Sequence, residues 1–182
     1  MPTPEKTSLD AIVLAASEIL EADGLAGVTM QAVAQRVGVR APSLYKRVPS
    51  REALIQLVAE DALTDLAGRL NTTTSAGQLA NGLRAFGKER PAVFQLVMGP
   101  QPGSPSLRNE VVLEASAAIL RTATDLAGEE YALEAARTMT AWATGFISME
   151  LNGGFNLGGD VDRAWEFGVS TIVAALSASH PS

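Results

Sequence analysis

Five basic side chains lie close together in one short stretch of the chain, and together they could bind phosphate groups. They are Arg36, Arg40, Lys46, Arg47 and Arg51, and no acidic residue lies between the first and the last of them. The whole chain is acidic, with a formal net charge of -6. A positive patch on a negative chain favours contact with a polyanion at one place and disfavours it elsewhere. The pattern therefore predicts double-stranded DNA as a partner.

The residues among these basic side chains are small or polar enough to contact bases. A recognition helix must be slim to enter a major groove about 12 Å wide, and Ala41 meets that requirement. Ser43 could donate to or accept from a base edge, Pro42 could touch a thymine methyl group, and Lys46 could reach guanine acceptors. Further DNA contacts are predicted for Arg40 and, at phosphates, for Thr29, Tyr45, Arg47 and Arg51.

Two of these side chains also have a purely structural interpretation. The ring of Tyr45 could pack on the first helix while its hydroxyl bonds to water. Arg36 could simply solvate the second helix. Both alternatives stay open on the sequence alone.

Helix signals around this patch predict how it is positioned. Apolar residues with 3.6-residue periodicity form a first helix that Gly24 ends. Thr29 can cap a second helix, which Gly38 ends. Pro42 suits the first turn of a third helix, and Ser50 can cap a fourth. Two short helices joined at a glycine form a helix-turn-helix.

The rest of the chain continues with helical periodicity, so the fold class is predicted to be all-α, with about nine helices. The polar stretch 71–77 marks the expected boundary between functional regions, and the Gly- and Pro-rich stretch 99–106 is expected to be a loop. We expect a DNA-binding domain over 8–56, a linking part of the fourth helix over 57–70, and a ligand-binding and dimerisation domain over 71–180.

Residue types exclude most catalytic chemistry. The chain has no cysteine, which excludes disulfides, thiol nucleophiles and thiolate zinc sites. Its one histidine is His180 in the C-terminal tail, so a histidine-based triad or metal centre is not expected. We expect no cofactor, no metal and no enzymatic activity. A small α-helical enzyme remains only a remote alternative.

The hydropathy pattern bears on location. The first eleven residues lack the uninterrupted apolar stretch of a signal peptide. No run of about 18 apolar residues occurs, so no membrane partner is expected. The expected location is the cytoplasm.

The order of motifs in residues 11–57 resembles the DNA-binding domain of TetR/AcrR-family transcriptional regulators. The resemblance is carried by Gly24, Thr29, Val33-Ala34, Gly38-Val39, Leu44-Tyr45 and Ser50-Arg51-Glu52-Ala53-Leu54. It covers about a third of the chain and implies that Gln31 is a further base-reading residue. Residues 141–155 are similar to a TetR-type ligand-binding domain named for a Trp-His-Gly motif. Trp142 and Gly145 fit that motif, whereas Thr144 stands where the histidine is expected.

One helical face in the second half of the chain is bulky and apolar. Bulky apolar residues recur at i, i+4 and i+7, with a methionine one turn earlier. They could line a cavity between helices, which is a usual place for small-molecule sites. The predicted ligand-binding residues are Phe94, Met98, Met139, Trp142, Phe146 and Met149. Ordinary core packing is the alternative for each of them.

The last two helices are predicted to form a homodimer. The family resemblance implies a four-helix bundle made by two protomers, and an apolar stripe on the last helix agrees with it. The predicted interface residues are Trp165, Val169, Ile172, Val173 and Leu176. Burial of this stripe within one protomer is the alternative.

These expectations combine into one function. The chain is predicted to be a transcriptional regulator, and specifically a repressor that a small apolar ligand releases from a palindromic operator. The alternative within the same class is a DNA-binding regulator without a small-molecule ligand, either constitutive or gated by a protein.

Overall fold

The computed structural model describes residues 8–99 and 106–179, and all regular elements within these ranges are helices. There are eight of them: α1 Leu9–Gly27, α2 Met30–Val37, α3 Ala41–Tyr45, α4 Arg51–Asn71, α5 Ala76–Glu89, α6 Pro91–Met98, α7 Asn109–Leu151 and α8 Val161–Ser179. The predicted all-α class is confirmed. Most of the loop predicted at 99–106, and His180, lie outside the described residues.

A glycine changes the direction of α1 where the sequence predicts the helix to end. Ser8 caps the start of the helix, its hydroxyl oxygen accepting the N–H of Ala11 at 3.1 Å. Gly24 adopts φ 70° and ψ -179°, after which a short turn continues to Gly27. Only glycine takes such a positive φ without steric cost. The predicted end of the regular helix at Gly24 is confirmed.

The chain packs as two compact units. Among the described residues, the first unit contains 8–63, 90–99 and 106–111, and the second contains 64–89 and 112–179. The polar stretch 71–77 does separate α4 from α5, as predicted. The packing nevertheless differs from the predicted domain limits, because α4 contributes to both units and α6 belongs to the first.

The contacts of α6 explain this difference. Glu21 on α1 accepts the N–H groups of Ala92 at 3.1 Å and Val93 at 2.9 Å with its two carboxylate oxygens. Arg90 donates to the buried Ser17 hydroxyl at 2.9 Å. The first N–H groups of a helix have no partner within it, so a carboxylate from α1 satisfies two of them. Hydrogen bonds thus fix the start of α6 to α1.

A buried carboxylate joins α4 to the chain just before α7. Glu60 is 4% exposed, and its Oε1 accepts from Gln56 Nε2 at 2.9 Å and from the N–H of Arg108 at 3.0 Å. Its Oε2 accepts from Arg108 Nε at 2.7 Å. Burial alone would raise the pKa of Glu60, but these hydrogen bonds outweigh burial and hold the pKa below its ordinary value. The charged form of Glu60 therefore stabilises this junction.

The second unit is organised around a sharp bend in α7 at Gly128, which adopts φ 74° and ψ 169°. Alanines on both sides of the bend pack into one buried cluster, with partly buried aliphatic side chains against it. The cluster contains Ala123, Ala127, Ala135 and Ala136, packed by Ile119, Leu120 and Leu176. Because alanine is small, helical segments can approach closely here.

An ion-pair network ties α5, α7 and α8 together. Arg84 donates to both carboxylate oxygens of Glu150, at 2.8 and 2.6 Å, and contacts Asp162 at 2.7 Å. The side chains of Arg84 and Glu150 are only 11% and 15% exposed. Arg84 holds the pKa of Glu150 below its ordinary value, since the guanidinium favours the charged carboxylate. Such a bidentate pair fixes both distance and orientation.

Residues 8–99 and 106–179 contain neither a candidate membrane span nor a candidate metal site. None of their helices is long and apolar enough to cross a bilayer. Nor do these residues bring together three histidine, cysteine, aspartate or glutamate side chains that could hold a metal ion.

Candidate nucleic-acid interface and ligand cavity

The turn between α2 and α3 has the geometry of a helix-turn-helix. The hydroxyl oxygen of Thr29 accepts the N–H of Ala32 at 3.1 Å and caps α2, as predicted. Gly38 ends α2 in the left-handed conformation, with φ 75° and ψ 34°. The N–H of Val39 then returns to the carbonyl of Ala34 at 2.9 Å. This arrangement satisfies the last carbonyls of α2 and reverses the chain direction tightly.

The short helix α3 is anchored from one side only. Leu44 and Val48 are both 0% exposed, so these two side chains fill the core of the first unit. Pro42 and Ser43 are exposed on the same helix, as is Lys46 just after it. Because the two apolar anchors are spaced one turn apart, they lie on one side, and the residues on the other side are turned outward.

Most of the residues predicted to touch DNA are accessible. Ala41 is half-buried, and the others in the helix-turn-helix are exposed: Thr29, Gln31, Arg40, Pro42, Ser43, Tyr45, Lys46 and Arg47. Tyr45 is 53% exposed, so its ring is not buried against α1. Among the described residues, neither Arg40 nor Lys46 has an ion-pair partner, which leaves both charges available to phosphate.

Arg36 forms an ion pair that neither interpretation of the sequence predicted. Its guanidinium donates to the carboxylate of Glu18 on α1 at 2.8 Å, and both side chains are about half exposed, at 45% and 51%. An exposed pair of this kind contributes little stability. Its effect is to link α2 to α1 and to neutralise one positive charge beside the patch.

Arg51 makes contacts that the sequence did not predict, and its phosphate contact stays a prediction. The sequence predicts a phosphate contact, but Arg51 Nε donates to the carbonyl of Val28 at 2.6 Å and Nη2 donates to the carbonyl of Leu25 at 2.6 Å. These carbonyls lie where α1 ends and the chain enters α2. The planar guanidinium is suited to bridging two acceptors at once. Arg51 therefore anchors the α1–α2 connection, and the helix signals of the sequence could not indicate this tertiary contact.

The second unit contains an apolar cavity between α5, α7 and α8. Its volume is about 420 Å³ when the open mouth is included. The lining is aliphatic apart from one indole ring and one hydroxyl: Ala76, Leu79, Ala80 and Leu83 from α5, Ile119, Met139, Thr140, Trp142 and Ala143 from α7, and Val169, Ile172 and Val173 from α8. No charged side chain lines it, so it suits an uncharged molecule.

Only two of the six residues predicted to bind the ligand line this cavity. Met139 and Trp142 line the cavity, and Phe146 lies beside Trp142 with ring centroids 5.6 Å apart. Met149 is 49% exposed on α7. Phe94 and Met98 belong to α6 in the first unit, where Phe94 is fully buried, so they are not part of this cavity.

The lining residues of α5 were not predicted from the sequence. Leu79, Ala80 and Leu83 follow the i, i+1, i+4 spacing of a buried helical face. That signal was present, but periodicity indicates only that a face is buried and not which other helices enclose it.

The apolar stripe of α8 makes contacts within its own unit. Trp165 is 1% exposed, and its Nε1 donates to Asn81 Oδ1 at 2.7 Å within the second unit. Val169, Ile172 and Val173 line the cavity, and Leu176 packs against the alanine cluster. Within one protomer, Trp165 is therefore buried and the other four predicted interface residues are partly buried, and their role in a dimer stays a prediction. The opposite face of α8 exposes Phe167 at 72%, together with the small residues Thr171, Ala174 and Ala178.

Comparisons with known proteins agree with this geometry. Residues 12–58 match the family model described as "Bacterial regulatory proteins, tetR family", and residues 77–172 match the one described as "Tetracyclin repressor-like, C-terminal domain". The chain belongs to the tetR family. It is a DNA-binding transcriptional regulator, so the predicted helix-turn-helix and regulator function are confirmed and the enzyme alternative is rejected. The Trp-His-Gly subtype stays a prediction.

Individual relatives show how far the similarity extends. The uncharacterized HTH-type transcriptional regulator YobS of Bacillus subtilis strain 168 is 25% identical, over 91% of this chain and 90% of its own length. The class C tetracycline repressor protein of Escherichia coli is 31% identical over 50% of this chain and 39% of its own. The structure of a TetR variant from Acinetobacter baumannii AYE, in complex with minocycline, has a TM-score of 0.72 at 18% identity and covers 96% of this chain and 99% of that one. That last similarity indicates a shared fold.

Proposed function

We propose that this regulator is a repressor that binds a palindromic operator as a homodimer and is released by a small apolar ligand. As a protein that acts on bacterial DNA, it would do so in the cytoplasm. The observation that carries the proposal is the orientation of α3: Leu44 and Val48 are buried, while Pro42, Ser43 and Lys46 face outward. A helix held by one apolar side presents the other side to the major groove.

The exposed residues divide into two roles. Gln31, Pro42, Ser43 and Lys46 would contact base edges, because amide, hydroxyl and ammonium groups match the donors and acceptors of the major groove. Phosphate contacts would come from the cap hydroxyl and the remaining basic and phenolic groups, namely Thr29, Arg40, Tyr45 and Arg47. The cap hydroxyl accepts the N–H of Ala32, so its own hydrogen remains free to donate to a phosphate.

The DNA proposal is tested by selecting bound fragments from a genomic library and titrating the enriched duplex at several salt concentrations. Ser43→Ala should relax sequence preference with little change in salt dependence. Arg40→Ala should weaken binding to all sequences alike and reduce the slope of log affinity against log salt by about 0.9 per lost phosphate contact. Arg121→Ala, which removes an exposed positive charge outside the helix-turn-helix, is the matched control. Enrichment without any palindrome would contradict the proposal.

A dimer would use the outward faces of the last two helical segments. On α7 the exposed residues at helical spacing are Thr138, Ala141, Gly145 and Met149, and on α8 they are Phe167, Thr171, Ala174 and Ala178. Mostly small side chains allow helices to approach closely, and Phe167 and Met149 supply apolar area. In a two-fold symmetric contact the same surface is used on both protomers.

Paired substitutions distinguish this surface from the interior stripe. Phe167→Asp should give a folded monomer. The side chain is exposed in one protomer, so folding is unaffected, and a two-fold symmetric contact would contain the substitution on both protomers. Val169→Asp should instead destabilise each protomer, because it places a charge in the apolar cavity. Sedimentation and circular dichroism of both variants test this. A wild-type monomer at micromolar concentration would reject the dimer.

The ligand proposal rests on the uncharged lining of the cavity. A regulator with the same fold, from A. baumannii, was crystallised with a small molecule. Binding of ligand and DNA to different conformational states would couple the two affinities, typically by about 1–3 kcal/mol. Linkage requires operator DNA to weaken ligand binding by the same factor. A compound that stabilises the protein without changing DNA affinity would favour the ligand-free regulator instead.

A further inference from the structure

Trp142 is the one aromatic side chain among the residues that line the cavity. Its ring stacks on Trp165, with centroids 5.0 Å apart and an interplanar angle of 27°. Trp165 is itself fixed, since it is 1% exposed and hydrogen-bonded to Asn81 at 2.7 Å. The guanidinium of Arg84 also lies 5.2 Å from the Trp165 ring centroid, within the range of a cation–π interaction. Trp142 is therefore packed on a rigid platform.

The ring of Trp142 also lies against Gly168 on α8. A Cβ atom added at Gly168 would overlap Trp142 Cζ2 and lie 2.9 Å from Cη2, inside van der Waals contact. Gly168 lies inside α8 and does not have a positive φ. A glycine in a helix interior costs about 0.5–1 kcal/mol relative to alanine, so backbone conformation does not explain it. Space for the indole ring does.

We propose that the contact between Trp142 and Gly168 sets the size limit of the ligand. The inference rests on the proposed function, because it assigns a specificity role within the same cavity. The Trp142 ring is packed between Trp165 and the α8 backbone, so it cannot move away from the cavity. The remaining side chains that line the cavity are aliphatic or small. A ligand too long for the cavity would therefore clash with the Trp142 ring.

The chemical class of the ligand follows from Thr140. Thr138 on the same helix donates its hydroxyl to the carbonyl of Glu134 at 2.8 Å. Thr140 faces the cavity, and across residues 8–99 and 106–179 its hydroxyl has no hydrogen-bond partner. One hydroxyl in an otherwise apolar wall suits an uncharged, apolar molecule with a single hydrogen-bonding group.

The test uses primary n-alkanols, which combine one hydroxyl with an apolar chain of graded length. The full-length wild type, Trp142→Ala, Gly168→Ala and the double variant are melted by circular dichroism with each alkanol from 1-butanol to 1-decanol. Ligand binding to the folded state raises the melting temperature according to concentration and Kd. Gly68→Ala is the matched control, since Gly68 is also in a helix but a Cβ there would meet nothing within 4 Å.

We expect the wild type to bind short alkanols and to reject those above a cut-off length. Trp142→Ala should move the cut-off to longer chains and tighten binding of 1-octanol at least tenfold relative to 1-butanol. Gly168→Ala should lower both the melting temperature and alkanol binding, and the double variant should recover the behaviour of Trp142→Ala. Gly68→Ala should bind alkanols like the wild type and melt slightly higher, since alanine is favoured over glycine in a helix interior.

The two levels of the hypothesis fail differently. If alkanols bind wild type and Trp142→Ala with the same length preference, the size-limiting role of Trp142 and Gly168 is wrong but the cavity remains a ligand site. If Gly168→Ala melts like the control, the steric argument is overturned without reference to any ligand. If no alkanol shifts any of the proteins, both the inference and the ligand part of the proposed function are rejected.

Discussion

Arg51 offers a direct test between a structural and a DNA-binding role. Arg51→Ala removes two hydrogen bonds from a charged donor, one to the carbonyl of the buried Val28 and one to the carbonyl of the exposed Leu25. A hydrogen bond to a charged group contributes about 1.5–3 kcal/mol when its partner stays buried, and less when water can replace it. We therefore expect a loss of about 2–4 kcal/mol in the free energy of unfolding of the first unit.

Arg51→Lys separates charge from geometry. Lysine keeps the positive charge, but its compact ammonium cannot bridge two carbonyls as the planar guanidinium does. If Arg51 contacted phosphate mainly as a charge, the lysine variant would behave like the wild type. If Arg51 anchors the α1–α2 connection, Arg51→Lys should lose roughly half as much stability as Arg51→Ala, or about 1–2 kcal/mol.

The assay must report on the first unit. Both tryptophans, Trp142 and Trp165, lie in the second unit, so their fluorescence would miss the effect. Hydrogen exchange of peptides covering residues 25–37 measures local opening where the carbonyls lie, and DNA binding is titrated against salt in parallel. Lys46→Ala is the control, because it removes an exposed charge and should leave exchange unchanged.

The anchoring role would be refuted by one pattern of results. If Arg51→Ala leaves hydrogen exchange at wild-type rates and reduces the salt slope by about 0.9 per protomer, Arg51 is a phosphate contact and the anchoring role is wrong. If hydrogen exchange is faster in Arg51→Ala, and the salt slope of DNA binding by the folded protein is unchanged, the anchoring role is supported.

Three further predictions concern caps and buried polar groups. Thr29→Ala should cost about 1 kcal/mol in unfolding by urea, because it removes the α2 cap, and Thr29→Ser should restore most of it. Hydrogen bonds hold the pKa of Glu60 below its ordinary 4.5. Its contribution to stability should therefore be complete above pH 4.5 and lost as the pH falls through the folded-state pKa. Acid unfolding of Glu60→Gln should lack this pH-dependent loss of stability, and an acid unfolding curve like that of the wild type would contradict the prediction. Thr144→Val should raise the free energy of unfolding by about 1 kcal/mol, since the Thr144 hydroxyl is buried with no hydrogen-bond partner among the described residues, whereas Thr138→Val should give no such gain.

Local features of the helix-turn-helix could be predicted from the sequence because their causes are local. Gly24 and Gly38 adopt positive φ values that other residues avoid, and Thr29 caps the helix that follows it. Each of these effects depends on residues within a few positions of one another. The periodicity of Leu44 and Val48 likewise fixes which side of α3 is buried. The outward residues of α3 follow without knowledge of any distant contact.

Contacts between residues far apart in the chain could not be predicted in this way. The bonds from Arg51 to Leu25 and Val28 span 26 and 23 positions, and no local pattern specifies them. The placement of Phe94 with the first unit depends on Glu21, which lies 72 positions before the Val93 N–H that it accepts. The side chains themselves gave no signal, because a basic residue can bind phosphate or a carbonyl equally well.

The apolar stripe of α8 shows a more general limit of sequence periodicity. An apolar stripe with 3.6-residue spacing indicates burial, but the interior of a protomer and the core of a permanent interface have similar composition. Trp165 and Val169 therefore gave the same signal that a dimer interface would have given. A second apolar surface, separate from the buried stripe, is indicated by a large apolar side chain that is exposed outside that stripe. Phe167 is such a side chain, because it is 72% exposed on the opposite side of α8, beside small residues that would let a partner helix approach and bury it.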